Sequence, residues 1–246
     1  MRKTIGKQFL LLMLLVIYAP ILILAVYSFT DSGNIGSIHG FSMQNYVTLF
    51  TKGELRDMIV GTVLLALVSS LLATIFGTMG AIGAFYSKKL AKNFINTANQ
   101  IPVVNADVVT GFSICVLLIV AFGMNKESYV PLLIGHVVLS APFVYLSVVP
   151  KLKQMDASLY EAAMDLGASP SMALRKVVIP QIMPGIVSGF ALAITLSLDD
   201  YFIASYTKPA TFNTISTYVV NATKGSQTEI KTALWALSTV IFLIVI

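Results

Sequence analysis

The chain has 246 residues, of which 57% are hydrophobic and only 11% charged, against about half and about a quarter in an ordinary soluble domain. That balance argues against a soluble enzyme or binding module and places the protein in a lipid bilayer. The formal charge of +5 could suit nucleic acid. Membrane proteins, however, keep Lys and Arg on their cytosolic side, so lipid and not nucleic acid is the expected surroundings.

Apolar stretches predict an all-α polytopic bundle of about six spans, near 9–29, 58–86, 102–122, 130–149, 185–206 and 232–246, within one transmembrane domain over 1–246. A helix needs about 20 apolar residues to cross the hydrocarbon core. Arg2, Lys3 and Lys7 precede the first stretch, which is longer than the core of a cleaved signal and reads as a retained span. The last stretch is short, so the final span is expected to be truncated. With the N-terminus cytosolic, inner segments carry Arg2, Lys3, Lys7, Lys88, Lys89, Lys92, Lys151, Lys153, Arg175 and Lys176. Outer ones then carry Lys52, Arg56, Lys126, Lys208, Lys224 and Lys231. This excess of inner basic residues favours that orientation.

Between the first two spans, Phe41, Tyr46, Val47, Leu49 and Phe50 suit a short helix, either lying on the membrane or packed as a cap over the bundle. In the second span Ser69, Ser70, Ala73, Gly77, Gly80, Ala81 and Ala84 form a small-residue stripe that lets helices approach closely. Its glycines follow no strand and precede no Gly-Lys-Ser/Thr, so the chain has no phosphate loop, and any ATP used must bind another polypeptide. Cys115 is alone and reads as a small buried hydrophobe. His136 reads as a packed polar residue, with no ligand cluster to suggest a metal.

The segment 155–180 is short, polar and helical between two apolar spans. Ser158 and Glu161 have capping-box spacing, Gly167 can close the helix in a left-handed conformation, and Ser169-Pro170 supplies a second N-cap and first-turn proline. Leu159, Ala162, Ala163 and Leu166 place a small apolar face on the first helix. Spacing alone allows that face to dock a soluble partner or to rest on the membrane.

Asp107, Asp199 and Asp200 are the acids inside predicted spans, and such acids usually face a cavity or a partner. Asp199 lies about 14 residues beyond Gly185, roughly 21 Å along a helix and toward the outer half. Asp107 is expected nearer the inner end of its span. Acids at both depths suit a path for a cation. Adjacent helical positions diverge by about 100°, so one Asp of the pair is expected on the path and the other satisfied by backbone or a neighbouring helix. A structural cap, or a bridge to another subunit, is the alternative for the pair. Tyr201 and Phe202 can add aromatic faces for an ammonium group.

Glu161, Ala162, Ala163, Gly167 and Pro180 stand at the spacing of the E-A-A…G…I-x-L-P loop, and the chain resembles the inner-membrane permeases of ABC importers. The run from Asp156 to Pro170, with Ala168 in it, and Ser197-Leu198-Asp199-Asp200-Tyr201-Phe202 resemble the spermidine/putrescine type, as do Asn45-Tyr46 and Pro102…Asp107…Gly111. One departure is Ala106, where many relatives carry proline, which puts a local kink in question. The resemblance implies a multi-pass subunit of the bacterial inner membrane whose loop, Ser158 to Pro170, docks an ATPase. It implies a homologous second permease subunit, two cytosolic ATPase subunits holding ATP and Mg, and an extracytoplasmic polyamine-binding protein, with no cofactor on this chain itself. Thiamine, ferric iron or phosphonate are alternative cargoes. An ion-coupled secondary transporter is another class; it would need an ion gradient and leaves the loop unexplained. No catalytic Ser/His pairing or His-Glu-x-x-His spacing supports an enzyme.

Overall fold

In a computed structural model, residues 2–30, 40–156, 158–224 and 228–245 are described. Helices α1 (Arg2–Ser28), α2 (Gln44–Thr51), α3 (Gly53–Tyr86), α4 (Lys89–Val104), α5 (Asp107–Cys115) and α6 (Val130–Gln154) come first. They are followed by α7 (Ser158–Asp165), α8 (Pro170–Ala173), α9 (Ile179–Asp199), α10 (Phe202–Thr207), α11 (Ile215–Lys224) and α12 (Thr228–Val245). The chain divides into two compact units, Met1–Ile59 with Tyr218–Ile246, and Val60–Thr217. Among the described residues four helices are long and apolar enough to cross a membrane, and a bent pair makes a fifth crossing possible. In α12 the apolar helical stretch is the shorter Ala233–Phe242.

In the first unit, α2 packs on α12, with Leu49 buried and Phe41, Val47 and Phe50 exposed. Its Asn45 is buried and donates to the carbonyls of Ser28 (3.0 Å) and Thr30 (2.8 Å), which ties α2 to the end of α1. Phe41 stacks on Phe29 at 5.6 Å, and Tyr27 meets Trp235 edge-on at 5.6 Å. Part of the expected outer loop, 31–39, lies outside the described residues.

The second unit is built on α6, gripped from two sides by glycines. A Cβ on Gly77 of α3 would sit 2.7 Å from the Ala141 carbonyl oxygen and 2.8 Å from the Val144 Cβ. On α9, a Cβ on Gly185 would sit 2.9 Å from the Ser147 carbonyl oxygen, and one on Gly189 3.1 Å from the Val144 Cα. Backbones this close need residues without side chains, the packing mode of membrane helices. Ala81, Ala84, Val144, Tyr145, Val148, Leu152, Val178, Ile182 and Ala193 fill the resulting core.

Two expected spans differ from what the periodicity suggests. The stretch 102–122 is a broken element: α4 and the helix from Asp107 through a π turn (Val116–Ala121) meet at 107°. Asn105 (ψ 148°) and Ala106 (ψ 137°) are extended at the break, so the kink is present without proline. The stretch 185–206 starts earlier and ends sooner. A continuous helix runs from Pro170 to Asp199, passing through a π turn at Leu174–Val178 and then Pro180 in the first turn of α9. Pro180 has no N–H to give the ladder of this rod, and it follows directly on the π turn, where the regular bonding is already interrupted. The stretch 207–231 between the last two expected spans is not all loop, since α11 lies within it and α12 begins at Thr228.

Candidate functional site

The segment 155–180 forms an exposed elbow. Helix α7 ends in a Schellman motif: Ala168 N–H donates to the Ala163 carbonyl (3.0 Å) and Gly167 N–H to that of Met164 (2.9 Å). Gly167 has φ +87°, the left-handed conformation this motif requires and that only glycine enters freely. Ser169 then caps α8, its Oγ accepting from the Met172 N–H at 3.3 Å, with Pro170 in the first turn.

The start of α7 departs from the expected capping box. Asp156, not Ser158, supplies the acceptor: its Oδ1 takes the Ser158 N–H (3.0 Å) and the Ser158 hydroxyl (2.8 Å). A carboxylate is the stronger acceptor and favours a helix N-terminus. These bonds, the backbone one first, hold the exposed Asp156 carboxyl below the usual carboxylate range.

The sequence reading also missed Tyr160. Its ring lies 4.9 Å from that of Tyr86 at the end of α3, and it packs on the α6–α9 core. This anchors one side of α7 and leaves Leu159, Glu161, Ala162 and Leu166 exposed, Leu166 at 90%. Ala163 and Ala168 are half-buried. The apolar residues offered outward therefore have no cover among the described residues. Because α8 continues into α9, the elbow joins a helical rod that ends at Asp199, roughly 40–45 Å away at 1.5 Å per residue.

At the far end of that rod the helix breaks. Asp200 is extended (ψ 123°) and buried. Its Oδ1 accepts from the Ile203 N–H (3.2 Å) and its Oδ2 from the Ala204 N–H (2.8 Å), so it caps α10. The Ser216 hydroxyl satisfies the Leu198 carbonyl on the other side of the break (2.9 Å). Asp199 is exposed, Tyr201 half-buried and Phe202 exposed, with the two rings edge-on at 5.3 Å. The paired acids thus differ: Asp200 is occupied by backbone, whereas Asp199 has no ion-pair partner among the described residues.

Asp107 is not at a separate inner depth, as the sequence suggested. Helix α5 lies beside α10: a Cβ on Gly111 would be 3.1 Å from the Ile203 Cα, and the Cys115 thiol donates to the Tyr206 carbonyl at 3.3 Å. Followed back one turn, α5 begins at Asp107 beside the break, and Asp107 and Asp199 both lie within electrostatic range of Asp200. Asp107 is exposed. Three carboxyls and the starts of two short helices therefore converge on one place.

Behind it runs a buried polar chain that the sequence reading took for packing. Ser69 Oγ is 3.1 Å from Ser197 Oγ, and Ser197 Oγ is 3.1 Å from His136 Nδ1. His136 Nε2 lies 3.8 Å from Asp200 Oδ2, too far for a hydrogen bond. The only sequence signal was polar residues interrupting apolar helices. Among the described residues no three His, Cys, Asp or Glu side chains are placed to share a metal ion.

Comparison with known proteins agrees with this architecture. The family model for the binding-protein-dependent transport system inner membrane component matches residues 73–246. The chain is 30% identical over 227 residues to the spermidine/putrescine transport system permease protein PotC of Haemophilus influenzae, covering 92% of this chain and 88% of that one. It is 32% identical over 190 residues to PotC of Escherichia coli K12, covering 77% and 71%. It is 32% identical over 195 residues to the putrescine transport system permease protein PotI of the same strain, covering 77% and 69%. A bacterial ABC transporter that imports alginate shares the fold, with a TM-score of 0.72 at 18% identity, covering 99% of this chain and 94% of that one. The chain is thus a multi-pass membrane protein and belongs to the family of binding-protein-dependent transport system inner membrane components.

Proposed function

We propose that this chain is half of the translocation pathway of an ATP-driven importer for polyamines such as spermidine and putrescine. A homologous permease subunit completes the pathway, an extracytoplasmic binding protein delivers the cargo, and two cytosolic ATPase subunits bind ATP and Mg. The N-terminus and the elbow then face the cytosol of a bacterial cell. The observation that carries the reading is the meeting of Asp107, Asp199 and Asp200 at the α9–α10 break, in a chain whose relatives are spermidine/putrescine permeases.

A polyamine carries ammonium groups along a flexible apolar chain. Asp199 and Asp107 offer carboxylates that accept charge-assisted hydrogen bonds from them, and Tyr201 and Phe202 offer ring faces to the same charge. Asp200 keeps the break open by capping α10. The elbow is the handle: an ATPase surface closing on Leu159, Ala162, Ala163 and Leu166 moves α7, and Gly167 passes the motion into the rod that ends at Asp199. Rocking of such a rod alternates access to a site at a helix break.

The test is to purify the assembled complex through a tag on this chain and measure ATP hydrolysis. Hydrolysis should rise with polyamine-loaded binding protein and stay at its basal rate with thiamine, ferric iron or phosphonate. Stimulation by one of those cargoes and not by polyamines would overturn the cargo. Absence of any co-purifying ATPase would overturn the importer.

A further inference from the structure

A second polar cluster lies at the elbow end of the α6 bundle, away from the acids. A small open cavity of about 50 Å³ sits among the ends of α3 and α6 and one face of α4, with Lys92, Asn96, Tyr145 and Lys153 in its wall beside Phe85 and Val149. The Tyr145 hydroxyl donates to Asn96 Oδ1. That bond fixes the amide so that Nδ2 is left to donate, and Nδ2 has no partner among the described residues. Lys92 Nζ stands 5.9 Å from the centre of the Phe85 ring. Neither Lys92 nor Lys153 has a carboxylate within ion-pair distance among the described residues, and no carboxylate lines the cavity.

The polar groups left here without a partner in the protein are thus donors: the half-buried Lys92 ammonium, the exposed Lys153 ammonium and one amide N–H₂. The enclosed room is about that of a single tetrahedral oxyanion. Basic pockets between membrane helices at the headgroup level favour phosphate groups, and Phe85 and Val149 give the same cavity an apolar side.

We infer that this cavity binds a phosphate anion, held by Lys92, Lys153 and the Asn96 amide, which a phospholipid headgroup or free phosphate can supply. The site is independent of the cargo, since none of its residues lies at the helix break. Its position between α4 and the helix that leads into the elbow makes occupancy a brace for that end of the bundle.

The test uses the purified complex with three probes: dioctanoyl phosphatidylglycerol, inorganic phosphate and, as a phosphate-free control, dioctanoylglycerol. Calorimetric titration should show saturable binding of the phosphatidylglycerol, of phosphate, or of both, and none of the control. Binding of the lipid alone assigns the headgroup, and equal binding of phosphate assigns the free anion. The paired substitution Lys92→Gln with Lys153→Gln should weaken binding at least about tenfold, and Asn96→Asp, which turns the donor into a carboxylate, should do the same. Lys126→Gln, a basic residue outside the cavity, should leave it unchanged. Failure of both phosphate probes to bind the wild-type complex, or wild-type affinity in both cavity variants, would overturn the inference.

Discussion

Gly167 allows the lever proposal to be tested by backbone energy alone. A Cβ at this position would meet nothing within 4 Å, yet φ is +87°. Substitution therefore introduces no clash and charges only the left-handed conformation: about 1–2 kcal/mol for Ala, less for Asn, which enters that region more readily, and more for a β-branched residue. One to two kcal/mol is a factor of roughly 5–30 in the population of the bent elbow. ATPase retention and cargo-stimulated hydrolysis should fall in the order Gly, Asn, Ala, Val. The bundle itself should keep its melting temperature, since the elbow is exposed. Equal activity of Ala and Gly would refute the claim that the bend transmits force. Loss that followed side-chain volume instead, with Asn worse than Ala, would place the cause in a crowded interface.

Three further outcomes follow from the geometry. Asp199→Asn should lower uptake of labelled spermidine several-fold while leaving assembly intact, measured in vesicles against co-purification of the subunits; unchanged uptake would remove Asp199 from the path. Asp200→Ala deletes the acceptor for the Ile203 and Ala204 N–H groups. It should cost about 0.5–2 kcal/mol as a lost N-cap, read as a lower melting temperature of the complex. The Asp156 carboxyl is held below its ordinary range by the Ser158 N–H and hydroxyl, so its folded-state value lies under its unfolded one. Its contribution is therefore present above the ordinary carboxylate range and lost as pH falls through the depressed value. Protection of the amides at the start of α7, measured as exchange relative to the intrinsic rate at each pH, should fall over that acid window, and Asp156→Asn should blunt the change.

The elbow was legible in the sequence because its determinants are local. Gly167, Ser169 and Pro170 act on their own neighbours, so spacing alone gives the bend. The choice between Asp156 and Ser158 was not legible, because both are good caps two residues apart and only the path of the chain decides which faces the N–H groups. The break before Asp107 has no proline to announce it. It follows from α5 packing beside α10 through Gly111 and Ile203, a contact some 90 positions apart in sequence. That same contact brings Asp107 to the pair, and no periodicity in either span could reveal it. Which acid is free follows from where the helix breaks: Asp200, just past the break, is fixed by the N–H groups that follow it, and Asp199 stays on the last turn of the rod.

The central claim is that ATP spent at the elbow moves a polyamine past Asp199. Proteoliposomes holding the complete complex, with ATP on the ATPase side and polyamine-loaded binding protein on the other, test it most directly. Labelled spermidine or putrescine should accumulate only with ATP, and accumulation should be competed by the other polyamine but not by unrelated cations. Uptake that persists without nucleotide, or that follows an ion gradient instead, would contradict the account.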